Sequence, residues 1–359
     1  MNVPTTSFGL LFLVVLASLF IVGNAGNVLG PWFPRTPPRT SHIEGAVVNI
    51  NNRMYSFGGY NFSAYQATSS LYIYDPLTDS WRDGKEAPLA VSHCQGATDG
   101  ERYLWIAGGF VGNSPGLATN QSWRYDVLQN KWHRGPDLPV ARASSAFVYD
   151  PVGRRLHMMG GLLADRQTDL GEHLVLDVSE PASWGHIEWK LRPQPIPTKR
   201  NHFQAVYIRD SFYAIGGQQG HDGDMLDLDL VERYDLESER WETEESIPAA
   251  RSHVESGLVV ANDRLIIPGG RENKKRHIDT TLEFAPFCGR STCWSYLRKV
   301  PLPMDATTAV YFRNITVPKE GQMISGDFMF VSSARTRRKI RPEQVIPDSW
   351  MCRVHLRDG

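Results

Sequence analysis

The feature that most restricts the fold of this 359-residue chain is a repeated punctuation mark. An apolar run closes on two glycines at Gly58-Gly59, Gly108-Gly109, Gly160-Gly161, Gly216-Gly217 and Gly269-Gly270, with Gly326-Asp327 as a degenerate sixth. Successive marks lie about 50 to 57 residues apart, which places the chain among repeat architectures before any other reading. A tryptophan follows each mark after about 24 residues, at Trp81, Trp132, Trp184, Trp241, Trp294 and Trp350, with Trp189 competing in the third unit. Between them stand Tyr74-Asp75, Tyr125-Asp126, Leu176-Asp177 and Tyr234-Asp235, each opening a turn. Every unit therefore reads as four short strands: one ending in a turn such as Asn51-Asn52, one closing on the glycines, one ending in Tyr-Asp, and one carrying the tryptophan. A single such sheet leaves both faces bare, whereas a closed ring of six buries them and protects the sheet edges.

These registers resemble kelch repeats, and the resemblance covers residues 35 to 355. It implies an all-β fold, a six-bladed kelch β-propeller of about four antiparallel strands per blade. More narrowly, Ser92-His93 with Thr98-Asp99-Gly100, Leu138-Pro139-Val140-Ala141-Arg142, Arg155 to Gly161, Glu172-His173 and Gly216 to Gly220 resemble plant kelch-repeat proteins of the Golgi, within the galactose-oxidase-like superfamily. That likeness implies a Golgi-lumenal or extracellular propeller. Trp32 leaves two ways to close the ring, by its own strand or by that of Trp350, and the spacing from Gly326 favours Trp350.

The first 25 residues stand apart from the rest. Phe8 to Val22 is an unbroken apolar and small run of about 15 residues, shorter than a membrane-spanning helix. Gly23-Asn24-Ala25 follows as a small-x-small cleavage pattern, so residues 1–25 read as a hydrophobic signal peptide or, lacking N-terminal Lys or Arg, as an uncleaved anchor helix at residues 8–22. The propeller is then assigned residues 26–359 and the secretory pathway, either Golgi lumen or membrane or the extracellular space. In that setting Asn61, Asn120 and Asn314, each in an Asn-x-Ser/Thr sequon, are glycosylation candidates. Cys288 and Cys293 flank a short loop and are expected to form a hairpin disulfide, with Cys94 and Cys352 as unbridged buried thiols.

Net charge is −1, which removes any global attraction to nucleic acid. Charge is instead local. Counting back from the glycines aligns Thr40-Ser41-His42, Val91-Ser92-His93, Arg142-Ala143-Ser144, Arg200-Asn201-His202, Arg251-Ser252-His253 and Asp305-Ala306-Thr307. In a kelch ring these loops meet at the channel mouth, so Arg142, Arg200 and Arg251, with His93, His202 and His253, are the ligand-binding candidates. Guanidinium suits carboxylates through paired hydrogen bonds. The same arginines could equally clamp neighbouring blades. Arg271, Lys274, Lys275 and Arg276, with Arg335, Arg337, Arg338, Lys339 and Arg341, add a basic patch in the loops after the fifth and sixth marks.

No cofactor and no metal site are expected. Cys288 and Cys293 lack a matching pair at zinc spacing, and the aspartates of His221 to Asp229 lack the spacing of a calcium loop. No copper-radical constellation, Ser-His-Asp arrangement or phosphate loop is found. The resulting expectation is a non-enzymatic binding or adaptor module for an anionic glycan or an acidic protein segment. The alternatives are a sugar-acid mutarotase or epimerase, using Arg200, His202, Arg251, His253 and Glu172, and a structural Golgi scaffold.

Overall fold

A computed structural model describes residues 26–39, 42–61, 66–221, 223–273, 276–289, 291–332, 335–336 and 349–356. The proposed signal segment, Lys274, Lys275, Arg337, Arg338, Lys339 and Arg341 lie outside these residues, and of Arg335 only its place in the short strand Arg335–Thr336 is described.

Five sheets have four antiparallel strands in simple sequence order. Blade one runs Ala46–Ile50, Arg53–Phe57, Leu71–Asp75 and Ser80–Asp83. Blades two to five begin at Gly96–Thr98, Ala146–Asp150, Gln204–Ile208 and Val259–Ala261. The sixth sheet joins Thr308–Lys319, Gln322–Ser332 and Ser349–Leu356 to the N-terminal strands Asn27–Leu29 and Phe33–Pro34. The first strands of the six sheets pack each against the next, and that of blade six against that of blade one, so the sheets form a ring around an axis. Among the described residues the one helical turn is the 3-10 segment Pro181–Ser183.

Among the described residues six large apolar clusters fill the blade interfaces, and two small ones lie among the loops at one end of the ring. Between blades one and two, for example, Val48, Phe57 and Ile73 meet Leu104, Ile106 and Trp132. The six interfaces explain the repeat: the inner faces of each sheet supply alternating apolar residues, and the aromatic pairs widen the wedge toward the rim. The glycine pairs are seats for the neighbouring blade. Gly109 donates to the Arg142 carbonyl and Gly217 to the Arg251 carbonyl, each at 2.8 Å. Gly108 and Gly216 adopt φ of 70° and 58°, and a Cβ on either would stand 2.4 Å from the same carbonyl oxygens, so neither position accepts a side chain.

The sixth unit departs from the sequence expectation. Gly326 and Asp327 lie inside the second strand, where Asp327 pairs with Val354. The strand ends only at Ser332, and the next two residues are Ser333 and Ala334. Trp350 is on the third strand of this blade, and the outermost position is taken by the N-terminal segment, with Asn27 opposite Leu356 and Phe33 opposite Met351. The ring is thus closed by the strand beside Trp32. In blade three Trp189, not Trp184, holds the repeat register, because Val175 pairs with Lys190 and Leu174 with Leu191. Its indole donates to Pro136 O, as Trp132 donates to Lys85 O.

Candidate functional site

The loop entering each blade contains one residue with a left-handed backbone: Glu44, His93, Ser144, His202, His253 and Ala306, with φ between 49° and 58°. Backbone hydrogen bonds chain these positions around the axis, from His93 N to Glu44 O, Ser144 N to His93 O and His202 N to Ser144 O. Short accessory ladders tie these loops to those following the glycine pairs. Ser92 pairs with Phe110, Asn201 with Gln218, and Ser252 with Arg271. Two sets of loops are therefore fixed into one collar.

The collar encloses a cavity of about 260 Å³. Glu44, His93, His202 and His253 reach it from the entering loops. Tyr60, Ser114, Arg166, Gln218, His221, Met225 and Arg271 reach it from the loops beyond the glycines. The imidazoles of His202 and His253 stack with centroids 4.4 Å apart, and His202 and His221 at 5.1 Å. Glu44 spans two of them, with Oε2 3.2 Å from His93 Nε2 and Oε1 3.6 Å from His253 Nε2. Burial, followed by the nearby His253, His221, His93 and Arg271, pushes the pKa of His202 well below the usual imidazole value, so the ring is neutral at pH 7.

Arg271 is buried in the cavity wall. Its Nη2 donates to Gln218 Oε1 and lies 3.8 Å from Asp227. Gln218 Nε2 donates to Gly220 O, which orients its carbonyl oxygen toward the guanidinium. Arg166 lies over the Phe110 ring at 4.3 Å and approaches His221 Nδ1 at 3.4 Å. The arrangement offers donors from two guanidinium groups beside imidazoles that can accept or donate.

Of the sequence candidates, His93, His202 and His253 meet at the cavity, and Arg142, Arg200 and Arg251 do not. The three arginines are 1%, 0% and 2% exposed and turn into the blades. Arg142 donates to Glu172, and Arg200 to Glu232 and to Ala214 O. Arg251 donates to Gly269 O at 2.8 Å and to Thr280 Oγ1 at 2.7 Å. Each carbonyl holds the preceding blade's glycine while each side chain holds its own blade, which makes these residues interblade clamps. Glu172 is thereby also accounted for. Arg271, expected in a surface patch, is in the cavity, whereas Arg276 is exposed and pairs with Glu272 at 2.9 Å.

The expected loop alignment slips at both ends of the chain. Glu44, not His42, is the counterpart of His93, since Ile43 pairs with Tyr60 as Ser92 pairs with Phe110. His42 instead stacks on Tyr72 at 5.3 Å. Ala306, not Thr307, fills the sixth position. Hairpin length is not the cause in blade one, which turns in two residues at Asn51-Asn52 as blade four does at Arg209-Asp210. The slip there comes from Ser41-His42, a dipeptide that copies Ser92-His93 two residues ahead of the true position. Arg166 and His221 had no repeat partner by which a sequence reading could find them.

Elsewhere, Cys288 and Cys293 are joined as a disulfide with Cα atoms 5.5 Å apart, and Cys94 and Cys352 are buried and unbridged. Asn314 is exposed, and Asn61 and Asn120 are half-buried. Asp227 accepts from Ser252 Oγ.

A closed ring of antiparallel sheets around one axis defines a β-propeller. The chain belongs to the kelch-repeat family: the KLHDC2/KLHL20/DRC7 Kelch-repeats domain matches residues 96–317, and the Kelch motif matches residues 44–88. A kelch repeat-containing protein of Arabidopsis thaliana is 25% identical over 335 residues, covering 87% of this chain and 73% of that protein. Kelch-like protein terF of Aspergillus terreus is 24% identical over 296 residues, covering 80% and 62% respectively. Among solved structures, that of YjhT superposes with a TM-score of 0.61 over 91% of this chain and 99% of its own, at 14% identity, a likeness of fold alone.

Proposed function

We propose that the collar binds a small carboxylate-bearing ligand, either an acidic sugar at the end of a glycan or the acidic side chains of a protein segment, in a lumenal or extracellular compartment. The observation that carries this reading is the convergence of Arg166 and Arg271 with His93, His202 and His253 on one cavity of about 260 Å³. A carboxylate there would find paired guanidinium donors in a site shielded from bulk water, where a charge-assisted hydrogen bond is strong. The cavity suits one sugar ring or one side chain rather than a drug-sized molecule. The compartment is supported by the Cys288–Cys293 disulfide and by the apolar run at residues 8–22.

The test is calorimetric titration of the purified chain with glucuronic acid, N-acetylneuraminic acid and neutral glucose. Salt-sensitive binding of an acid and none of glucose is expected, and Arg271→Ala should weaken it about ten-fold or more, the equivalent of one hydrogen bond to a charged group. Absence of acid binding, or equal affinity in the variant, would overturn the reading.

A second reading, a sugar-acid mutarotase or epimerase, is favoured by one contact. The His93 and Glu44 side chains, 3.2 Å apart in the same cavity, supply a proton donor and acceptor for ring opening. Accelerated anomer exchange by NMR would separate it from simple binding.

A further inference from the structure

The collar histidines share a construction that anion binding does not require. In His93, His202 and His253 the Nδ1 atom is held by the side chain immediately before it: Ser92 Oγ at 3.1 Å, Asn201 Oδ1, and Ser252 Oγ at 3.2 Å. Each ring is thereby locked with Nε2 turned toward the carboxylates Glu44 and Glu255. Outer partners of this kind fix ring orientation and tautomer at metal sites.

For His202 the tautomer follows from the hydrogen-bond network. Asn201 Nδ2 donates to Asp169 Oδ1 and to Gly220 O, so the amide's oxygen is the atom facing His202. An oxygen acceptor there requires the proton on Nδ1, leaving a lone pair on Nε2. That Nε2 is buried, has no hydrogen-bond partner among the described residues and lies 3.8 Å from Glu255 Oε1. A lone pair facing a carboxylate in a buried site is unfavourable unless a cation or a hydrogen-bond donor stands between them. One ring nitrogen each of His202 and His253 and one oxygen of Glu44 lie within 4.8 Å of one another, and His93, His202 and His221 form an overlapping triad. A tetrahedron with the zinc arms of about 2.0 to 2.2 Å has edges of about 3.3 to 3.6 Å, so binding would draw the three ligand atoms together by up to about 1.5 Å through side-chain rotation.

We propose that Glu44, His202 and His253 bind a divalent first-row transition ion of the zinc type, with the fourth position facing the cavity. Two imidazoles and a carboxylate suit such an ion, and the Glu44 and Glu255 charges offset it. Arg166 and Arg271 stand at the same cavity and favour an anionic group, water-derived or ligand-derived, at the open position. No local spacing announces the site, because its ligands come from three blades. The site is independent of the carboxylate-binding reading, since an ion could bind whether or not an acidic ligand does.

The full chain, stripped with a chelator, should take up one zinc or cobalt(II) per molecule when titrated against a chromophoric chelator, with no sugar present. Cobalt(II) should develop visible absorption bands of low-symmetry nitrogen and oxygen coordination. His202→Ala, His253→Asn and Glu44→Gln should each weaken uptake by more than about ten-fold, the loss that even outer partners produce. Asn201→Ala should weaken it less, and the exposed His186→Ala not at all. Circular dichroism identifies any variant that fails to fold. Should His202→Ala fail, His253→Asn, Glu44→Gln and the cobalt spectrum of the unaltered chain carry the decision. Uptake below one ion per chain, or uptake unchanged in the folded collar variants, would overturn the proposal. Metal uptake without acid binding would leave this site standing and remove the carboxylate reading, and the reverse result would do the opposite.

Discussion

The indole Nε1 of Trp32 donates to the carbonyl of Lys299 at 2.7 Å, joining the N-terminal segment to the far end of the chain. Trp81, Trp132 and Trp294 make the same reach from their outer strands to a carbonyl of the preceding blade, on Thr36, Lys85 and Glu245. Trp32 is therefore the sixth blade's copy of the repeated tryptophan, displaced to the opposite end of the sequence. Arg35 extends the closure by donating to Tyr74 Oη at 2.9 Å, Pro76 O at 3.0 Å and Pro318 O at 2.6 Å.

Closure by the N-terminal segment makes its contacts unusually consequential for stability. Trp32→Ala should lower the unfolding free energy by about 1 to 3 kcal/mol through the lost hydrogen bond and apolar burial. Arg35→Ala should cost at least as much, because it leaves Asp79 and two carbonyls without their shared donor. Urea denaturation of both variants checks this, and unchanged midpoints would show that the ring does not depend on this strand.

Arg200 and Arg271 should separate structure from binding. Arg200 and Glu232 are both almost fully buried, so Arg200→Ala leaves a carboxylate without its partner and should destabilise the fold by about 3 to 5 kcal/mol. Acid binding by the molecules that remain folded should persist. Arg271→Ala should show the reverse balance, with affinity falling more than stability. Measuring melting temperature and affinity on both variants decides it, and a binding defect confined to Arg200→Ala would place the ligand elsewhere.

The Cys288–Cys293 loop is also held across the blade interface, since Glu245 accepts from Thr292 Oγ1 and from Cys293 N, each at 2.6 Å. Replacing both cysteines by serine should cost about 2 kcal/mol at most, the loop-closure value for so short a ring, and less where Glu245 retains the loop. Non-reducing peptide mapping should recover the Cys288–Cys293 pair, and recovery of a Cys94–Cys352 bridge would contradict the strand register.

The blades were legible because Gly-Gly and Trp stand at a nearly constant distance in blades one, two, four and five, a spacing that backbone geometry imposes. The collar was less so. His93, His202 and His253 could be found since their loops share a backbone position, but Glu44 was hidden by the nearby Ser41-His42, which copies Ser92-His93, and Arg166 by a loop with no counterpart. The three arginines misled for a physical reason: repetition marks a residue that serves the repeat, and Arg142, Arg200 and Arg251 do so as clamps. Trp350 misled because Gly326, inside a long strand, happens to stand at the right distance from it.

Blade three contains a buried imidazole pair that should govern acid sensitivity. His157 Nδ1 and His173 Nε2 lie 2.8 Å apart and both residues are inaccessible to solvent. Burial, then Arg192, holds His173 down at about 3, and burial followed by His173, Arg155 and Arg192 pushes His157 well below the ordinary value. Burial also lowers His42 to about 4. In the unfolded chain each of these groups takes up a proton near pH 6.5, while in the folded chain each resists until far lower pH. The unfolded state therefore binds more protons in this window. Stability is complete above about pH 6.5 and declines as pH falls, toward about 4 for His42 and about 3 for His173, at up to about 1.4 kcal/mol per pH unit for each group. Urea unfolding at fixed ionic strength between about pH 7 and pH 5, above the carboxylate range, should show stability falling with acidification. His42→Phe, which keeps a ring against Tyr72, should flatten that slope by up to one proton's worth. A slope of zero in the unaltered chain would show that these histidines gain protons in the folded state as readily as in the unfolded one.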